Sequence, residues 1–212
     1  NGHTVQATVV GHGGKMAVDG QLYTLAQCHW HWGSEHTVGG EQLPLAAHCV
    51  HAKDGVDGMY GVLGLLYEVD SAANEFLGAF EDHLPAMPGH RRLSDGASTV
   101  SDFIGPVDFD KAYEGLALSE YWTYDGSFTT PPCTEAVDWR VLQSYAPMTQ
   151  SQLDKFQEKM GWVSEGGNFR PPQPLNGRVV SGCDYSSWYP YDGTAWSETA
   201  EKAHPVCAAG QM

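Results

Sequence analysis

Two histidines spaced two residues apart constrain this chain more than any other feature: His29 and His31, in Gln27-Cys28-His29-Trp30-His31-Trp32-Gly33. In an extended strand side chains alternate faces with period two, so the histidines share one face and Cys28 and Trp30 point to the other. At the backbone the two imidazoles are then about 7 Å apart along the strand, close enough to converge on one metal ion. A third ligand has to come from a neighbouring strand. The segment Ala46-Ala47-His48-Cys49-Val50-His51 offers His48, which shares its face with Val50, and His51, which faces the other way. An H-x-H pair alone is more often a satisfied polar pair than a metal site; the second histidine-bearing strand is what shifts the balance. Three neutral imidazoles would leave the double charge of a zinc ion intact and one tetrahedral position open, the pattern of a catalytic rather than a structural site.

Around this segment the chain is a series of short runs rich in Val, Leu, Tyr and Trp, at 4–10, 21–32, 46–52 and 59–69, separated by Gly13-Gly14, Gly39-Gly40 and Asp54-Gly55. Helical spacing is rarer. Residues 72–83 carry Phe76, Leu77 and Phe80, and residues 149–160 carry Leu153, Phe156 and Met160, with Thr149 or Ser151 placed to cap the second helix. The expected fold is mainly β, a largely antiparallel sheet with short peripheral helices. After Arg178 the composition changes: Tyr185, Trp188, Tyr189, Tyr191 and Trp196 stand among Ser, Asp and Gly without a period. Residues 1–180 therefore read as one domain, and 181–212 as an aromatic-rich C-terminal extension packed on its surface or against another chain.

The formal charge of −15 repels phosphate backbones and argues against nucleic acid as a partner. The acids are scattered, as a solvated surface would have them; adaptation to high salt is the sharper reading of the same excess. The longest apolar run, near residues 61–67, is far short of the ~20 residues that cross a bilayer. Five cysteines (Cys28, Cys49, Cys133, Cys183, Cys207) include no C-x-x-C pair, which argues against a thiolate zinc site. Their odd number leaves at least one without a partner in the chain, and Cys183 and Cys207 are placed to staple the tail in an oxidising compartment.

A second stretch, Phe128-Thr129-Thr130-Pro131-Pro132, holds two hydroxyls just before a rigid turn, because each proline fixes its own φ and restricts the residue before it. A rigid hydroxyl beside a metal-held water can accept that water's hydrogen bond, provided it passes its own proton toward a carboxylate. Glu35, in Ser34-Glu35-His36-Thr37-Val38, is the candidate.

QCHWHWG, SEHTV, the His48-x-x-His51 strand, YWTYDGSFTTPPCTEAVDW and NFRPPQPLNGR occur in the order in which the α-class carbonic anhydrases carry such segments. From residue 1 to about 178 the chain resembles that family. The resemblance implies a central, mostly antiparallel twisted sheet with zinc at the base of a conical cleft, and reversible hydration of carbon dioxide to bicarbonate by a zinc-bound hydroxide. It implies Zn2+ on His29, His31 and His48, Thr129 orienting the hydroxide, and Glu35 accepting the proton of Thr129. It casts His3 as proton shuttle, with Asn1 and Gln6 on the hydrophilic side and Thr130 on the polar wall. Val50, Val62, Phe128, Val137 and Trp139 match the apolar wall that receives carbon dioxide, and Gln27 matches the partner of the first ligand. Sulfonamides and anions are the inhibitors expected of such a site.

The resemblance breaks in two places. The family carries a glutamate two residues before the third ligand, where this chain has Ala46, so Glu41 or a water is the expected substitute partner for His48. Losing such a partner typically costs 10- to 100-fold in metal affinity or activity. The family's N-terminal segment is also expected to be missing or supplied by another chain. In secreted forms a cysteine of that segment pairs with the position of Cys133, which implies an extracellular or otherwise oxidising location. Two other functions stay open at this point, a catalytically silent carbonic-anhydrase-like interaction module and a zinc esterase; the presence of all three ligands argues against the first.

Overall fold

The structure is a computed structural model and describes residues 4–11, 13–18, 20–84, 107–160, 166–184 and 206–209. Its longest strands are β3 (Gln21–Trp32) and β9 (Val137–Met148). With them in one sheet are β1 (Val5–Thr8), β2 (Lys15–Val18), β6 (Leu45–Lys53), β7 (Tyr60–Val69), β8 (Glu120–Gly126), β10 (Ser181–Asp184) and β11 (Val206–Ala209). The order across the sheet is β1-β3-β6-β7-β9-β8-β10-β11, with β2 also paired to β3. Every pairing is antiparallel except β7 with β9. A separate hairpin, β4 (Thr37–Val38) with β5 (Glu41–Gln42), turns at Gly39-Gly40, both at positive φ as a two-residue turn of this kind requires. The mainly β, mostly antiparallel sheet expected from the sequence is therefore the one observed. The C-terminal boundary expected at residue 180 falls where β10 begins, and β10 lies in the sheet against β8.

An irregularity in β3 decides which residues reach which face. Strict alternation from Gln21 to Trp32 would place Leu25 with His29. The pairing of β3 with β6 instead shifts register between Leu25 and Gln27, a bulge at Ala26. Leu25 consequently joins Cys28 and Trp30 in the core, while Gln27, His29 and His31 turn to the opposite face. A bulge of this kind carries no composition signal, and the period alone could not locate it.

Trp30 shows what the core face is for. It is fully buried, and its ring lies 4.8 Å from Phe80, 5.7 Å from Phe156 and 6.1 Å from Phe76. These come from the two helices, α1 (Glu75–Glu81) and α2 (Gln150–Met160), whose apolar positions were legible from their spacing. Asn74 caps α1, its side chain accepting from the Leu77 N–H at 3.0 Å, and Gln152 ties α2 to that cap by hydrogen bonds of 2.8 Å to and from the Asn74 backbone. Thr149, not Ser151, caps α2, its hydroxyl accepting from the Gln152 N–H. On the other side of the sheet a second cluster forms from Ala46, Val50, Val62, Leu66, Val137, Trp139 and Val141.

His51 lies buried with its Nδ1–H donated to the Cys49 carbonyl at 2.9 Å. Burial lowers its pKa to about 4, against the opposing pull of the Cys49 and Gly61 backbone. The unfolded chain, titrating near 6.5, binds this proton first, so His51 contributes stability above that pH and loses it as pH falls toward 4. Denaturant unfolding of the native chain and of His51→Gln should show a steeper loss between pH 6.5 and 4.5 in the native chain, by on the order of 2 kcal/mol. Parallel pH profiles would show that His51 does not carry it.

Candidate metal centre

β3 and β6 pair in a register that sets His29 directly opposite His48 and His31 opposite Ala46. The ligating atoms of His29, His31 and His48 all fall within 4.8 Å of one another. Their rings stand 4.7–5.3 Å apart at inclined or near-perpendicular angles, which lets three nitrogens meet at one point. Burial, with the neighbouring His31 adding to it, lowers His29 to about 3 and holds His48 well below the ordinary histidine range. Both are thus neutral at physiological pH, the state a metal ion needs.

Each ligand's far nitrogen is the test of orientation. His29 donates Nδ1–H to Gln27 Oε1 at 2.8 Å, and His31 donates Nδ1–H to the Asn168 carbonyl at 2.9 Å. Asn168 is locked in turn to the end of β3: its side chain accepts from the Trp32 N–H at 2.6 Å and donates to the Trp30 carbonyl at 3.2 Å. Gly167 makes that approach possible, because a Cβ there would lie 2.3 Å from the Trp32 carbonyl oxygen, and its φ is +128°. His48 differs. Its Nε2 is buried without a hydrogen-bond partner, Ala46 offers none, and Glu41, expected as a substitute, lies exposed in β5.

Glu35 aims its carboxylate at the same point. Oε1 accepts the Arg170 N–H at 2.7 Å, whereas Oε2, also buried, has no hydrogen-bond partner and lies 3.5 Å from His31 Nε2 and 3.7 Å from His48 Nδ1. The three-imidazole donor set, with His31 Nε2 likewise lacking a hydrogen-bond partner, fits a single zinc ion with an open position. His36 packs behind His48 and Trp139, bonds the Tyr124 hydroxyl at 2.7 Å, and is lowered to about 4 by burial first and His31 second.

The site opens into a cavity of about 470 Å³. Val50, Val62, Phe128 and Trp139 form one side; Thr4, Gln6, Gln27, Thr129, Thr130, Asn168 and Arg170 bring polar groups to it. Val137 packs behind this lining rather than on it. Thr129 and Thr130 sit in a loop tied by the Phe128 N–H to the Thr134 carbonyl at 3.0 Å and the Cys133 N–H to the Thr130 carbonyl at 2.9 Å. Asn1 and His3 lie outside the described residues. Asn168, Arg170 and Gly167 were given no role by sequence reasoning, although they belong to or border the NFRPPQPLNGR segment; the acceptor for His31 and the donor for Glu35 are backbone groups, which leave no residue-type signature, and the Asn168 side chain clamps backbone groups of β3.

Three cysteines among the described residues are disulfide-bonded. Cys28 and Cys49, neighbours in the β3–β6 ladder, are bonded to each other. Cys183 is also disulfide-bonded, and the residue opposite it in β11 is Cys207. Cys133 is a free thiol.

A family model described as eukaryotic-type carbonic anhydrase matches residues 1–183. The chain belongs to this family. It is 37% identical over 180 residues to a carbonic anhydrase of Neisseria gonorrhoeae, covering 85% of this chain and 64% of that one. It is 34% identical over 170 residues to alpha carbonic anhydrase 3 of Arabidopsis thaliana, covering 79% of this chain and 56% of that one. The alpha-carbonic anhydrase from Thermovibrio ammonificans, solved in complex with the inhibitor sulfanilamide, superposes with a TM-score of 0.69 at 36% identity, covering 85% of this chain and 71% of that one. The chain thus spans less than two thirds of the length of those first two relatives. Zinc is the cofactor of the family, and His29, His31 and His48 are this member's ligands for it.

The unpartnered Nε2 of His48 sets an expectation for affinity. Ala46→Glu, which offers an acceptor from the same face of β6, should tighten zinc binding about tenfold, read by competition with a chromogenic chelator. An unchanged dissociation constant in a folded variant would show that His48 needs no acceptor.

Proposed function

We propose that the chain hydrates carbon dioxide reversibly to bicarbonate and a proton, with the catalytic domain in residues 1–180. The observation that carries this reading is the meeting of three imidazoles and the unpartnered Glu35 Oε2 at the floor of a cavity with one apolar and one polar side. When bound, zinc acts as a Lewis acid and lowers the pKa of its water to about 7, a value established on carbonic anhydrase itself.

The chain's own residues supply the rest. Val50, Val62, Phe128 and Trp139 offer carbon dioxide a dry surface beside the ligands, with Val137 backing them. Thr129 Oγ1 accepts a hydrogen bond from the reacting water and directs its own O–H to Glu35 Oε2, so that the attacking lone pair faces the substrate. Glu35 can take that role because the Arg170 N–H holds Oε1 and leaves Oε2 free. The Thr129 N–H receives the developing anion, and Thr130 continues the polar wall. The released proton passes by way of the polar side to His3, the proposed shuttle, an imidazole whose ordinary pKa near 6.5 suits exchange in both directions.

The same site would take sulfonamides and small anions. The disulfides favour an oxidising compartment, such as the exterior of the cell. The excess of carboxylates would keep the surface hydrated in concentrated salt.

Stopped-flow hydration of carbon dioxide by the zinc-loaded chain tests the proposal. Activity should be present and abolished by a sulfonamide, and Thr129→Val and Glu35→Gln should each lower kcat/KM about 100-fold or more without loss of zinc. A zinc-loaded but inactive native chain would favour an interaction module instead. Hydration rates that persist in molar sodium chloride are the result expected of the acidic surface, and collapse there would remove the salt reading.

A further inference from the structure

The Cys28–Cys49 disulfide has a place in the fold that stability alone does not explain. Cys28 precedes His29 and Cys49 follows His48, and the two histidines face each other across the same ladder. The bond lies on the opposite face of β3 and β6 from the imidazoles, fully buried in the core with Trp30 and Leu65. Its covalent ring, residues 28–49 with a sequence separation of 21, encloses His29, His31, Glu35 and His48. Every ligand and the carboxylate aimed at them therefore belong to one cross-linked loop. His48 is the ligand that needs this most, since the other two have hydrogen bonds at their far nitrogens and it has none.

Resting on the metal-site reading above, we infer that Cys28 and Cys49 are positioning residues for the zinc site: their bond holds the backbones of His29 and His48 at ligating separation, in place of the acceptor that His48 lacks. Without the bond the strands remain paired, but the distance between the two ligands fluctuates with the ladder, and zinc has to restrain it on binding. Linkage then works both ways: the bond favours zinc, and zinc protects the bond.

Two measurements test this on the full chain. In the first, zinc dissociation constants are compared for the native chain, Cys28→Ala/Cys49→Ala and Cys28→Ala/Cys49→Val, at a temperature where circular dichroism shows each folded. Both variants should bind zinc about tenfold or more weakly. Unchanged affinity with a lowered Tm would make the bond a brace of the fold only and overturn the inference. In the second, which needs no variant, the native chain is reduced with a water-soluble phosphine. The S–S bond takes up two electrons and two protons as the phosphine, with water, becomes its oxide. The thiols released are alkylated and mapped by mass spectrometry. Bound zinc should slow release at Cys28 and Cys49 about tenfold while leaving Cys183 unaffected. Equal protection of both disulfides, protection of neither, or Cys28 and Cys49 found as thiols before reduction would overturn it. A native chain that takes up no zinc would overturn the metal reading itself, whereas zinc binding equally tight in the folded variants would overturn only the positioning role.

Discussion

The pairing of β3 with β6 is the interaction on which the rest of this protein depends. All three ligands lie on these two strands, and the register that sets His29 against His48 also sets Cys28 against Cys49. Because side chains alternate with period two, a slip of one residue would carry His48 into the core and Cys49 into the cleft. Both faces resist that slip for different reasons. The core face is pinned by Trp30 between the aromatic residues of α1 and α2, and the cleft face by apolar packing of Ala46 and Val50 with Val62 and Trp139.

Burial then does chemical work. Removing imidazoles from water disfavours their charged forms, so His29 and His48 stay neutral far below the pH at which free histidine would protonate. The same desolvation makes an unpaired polar atom costly, and the structure answers this for two ligands by sending Gln27 and a loop carbonyl to their far nitrogens. For the third it does not. That asymmetry comes from one residue, Ala46, whose methyl group packs into the apolar cluster where a longer polar side chain could have reached His48.

Segments remote in sequence complete the centre. Residues 167–170 come back beside the end of β3, and their backbone supplies the acceptor for His31 and the donor for Glu35. Such contacts are insensitive to side-chain identity, apart from the glycine that permits the approach and the asparagine that clamps it. They orient groups whose chemistry was evident from the sequence without being announced by it.

From the sequence alone came the strands at 21–32 and 59–69, the two short helices, the shared face of His29 and His31, and the opposite faces of His48 and His51, since period-two alternation is a local property. The turn at Thr129-Thr130 and its need of a carboxylate already pointed to Glu35; the resemblance carried by QCHWHWG and FTTPPC gave Thr129 and Glu35 their roles, chose His48 over His51 and added the apolar residues. The tertiary structure decided what depends on distances between strands. The bulge at Ala26 turned Leu25 inward, the ladder bonded Cys28 to Cys49 where spacing had suggested only Cys183 and Cys207, and Glu41 was left exposed and away from His48. A sequence specifies which side chains share a face; only the folded chain specifies which atoms come within bonding reach, because register, bulges and loop backbones are settled by packing summed over the whole sheet.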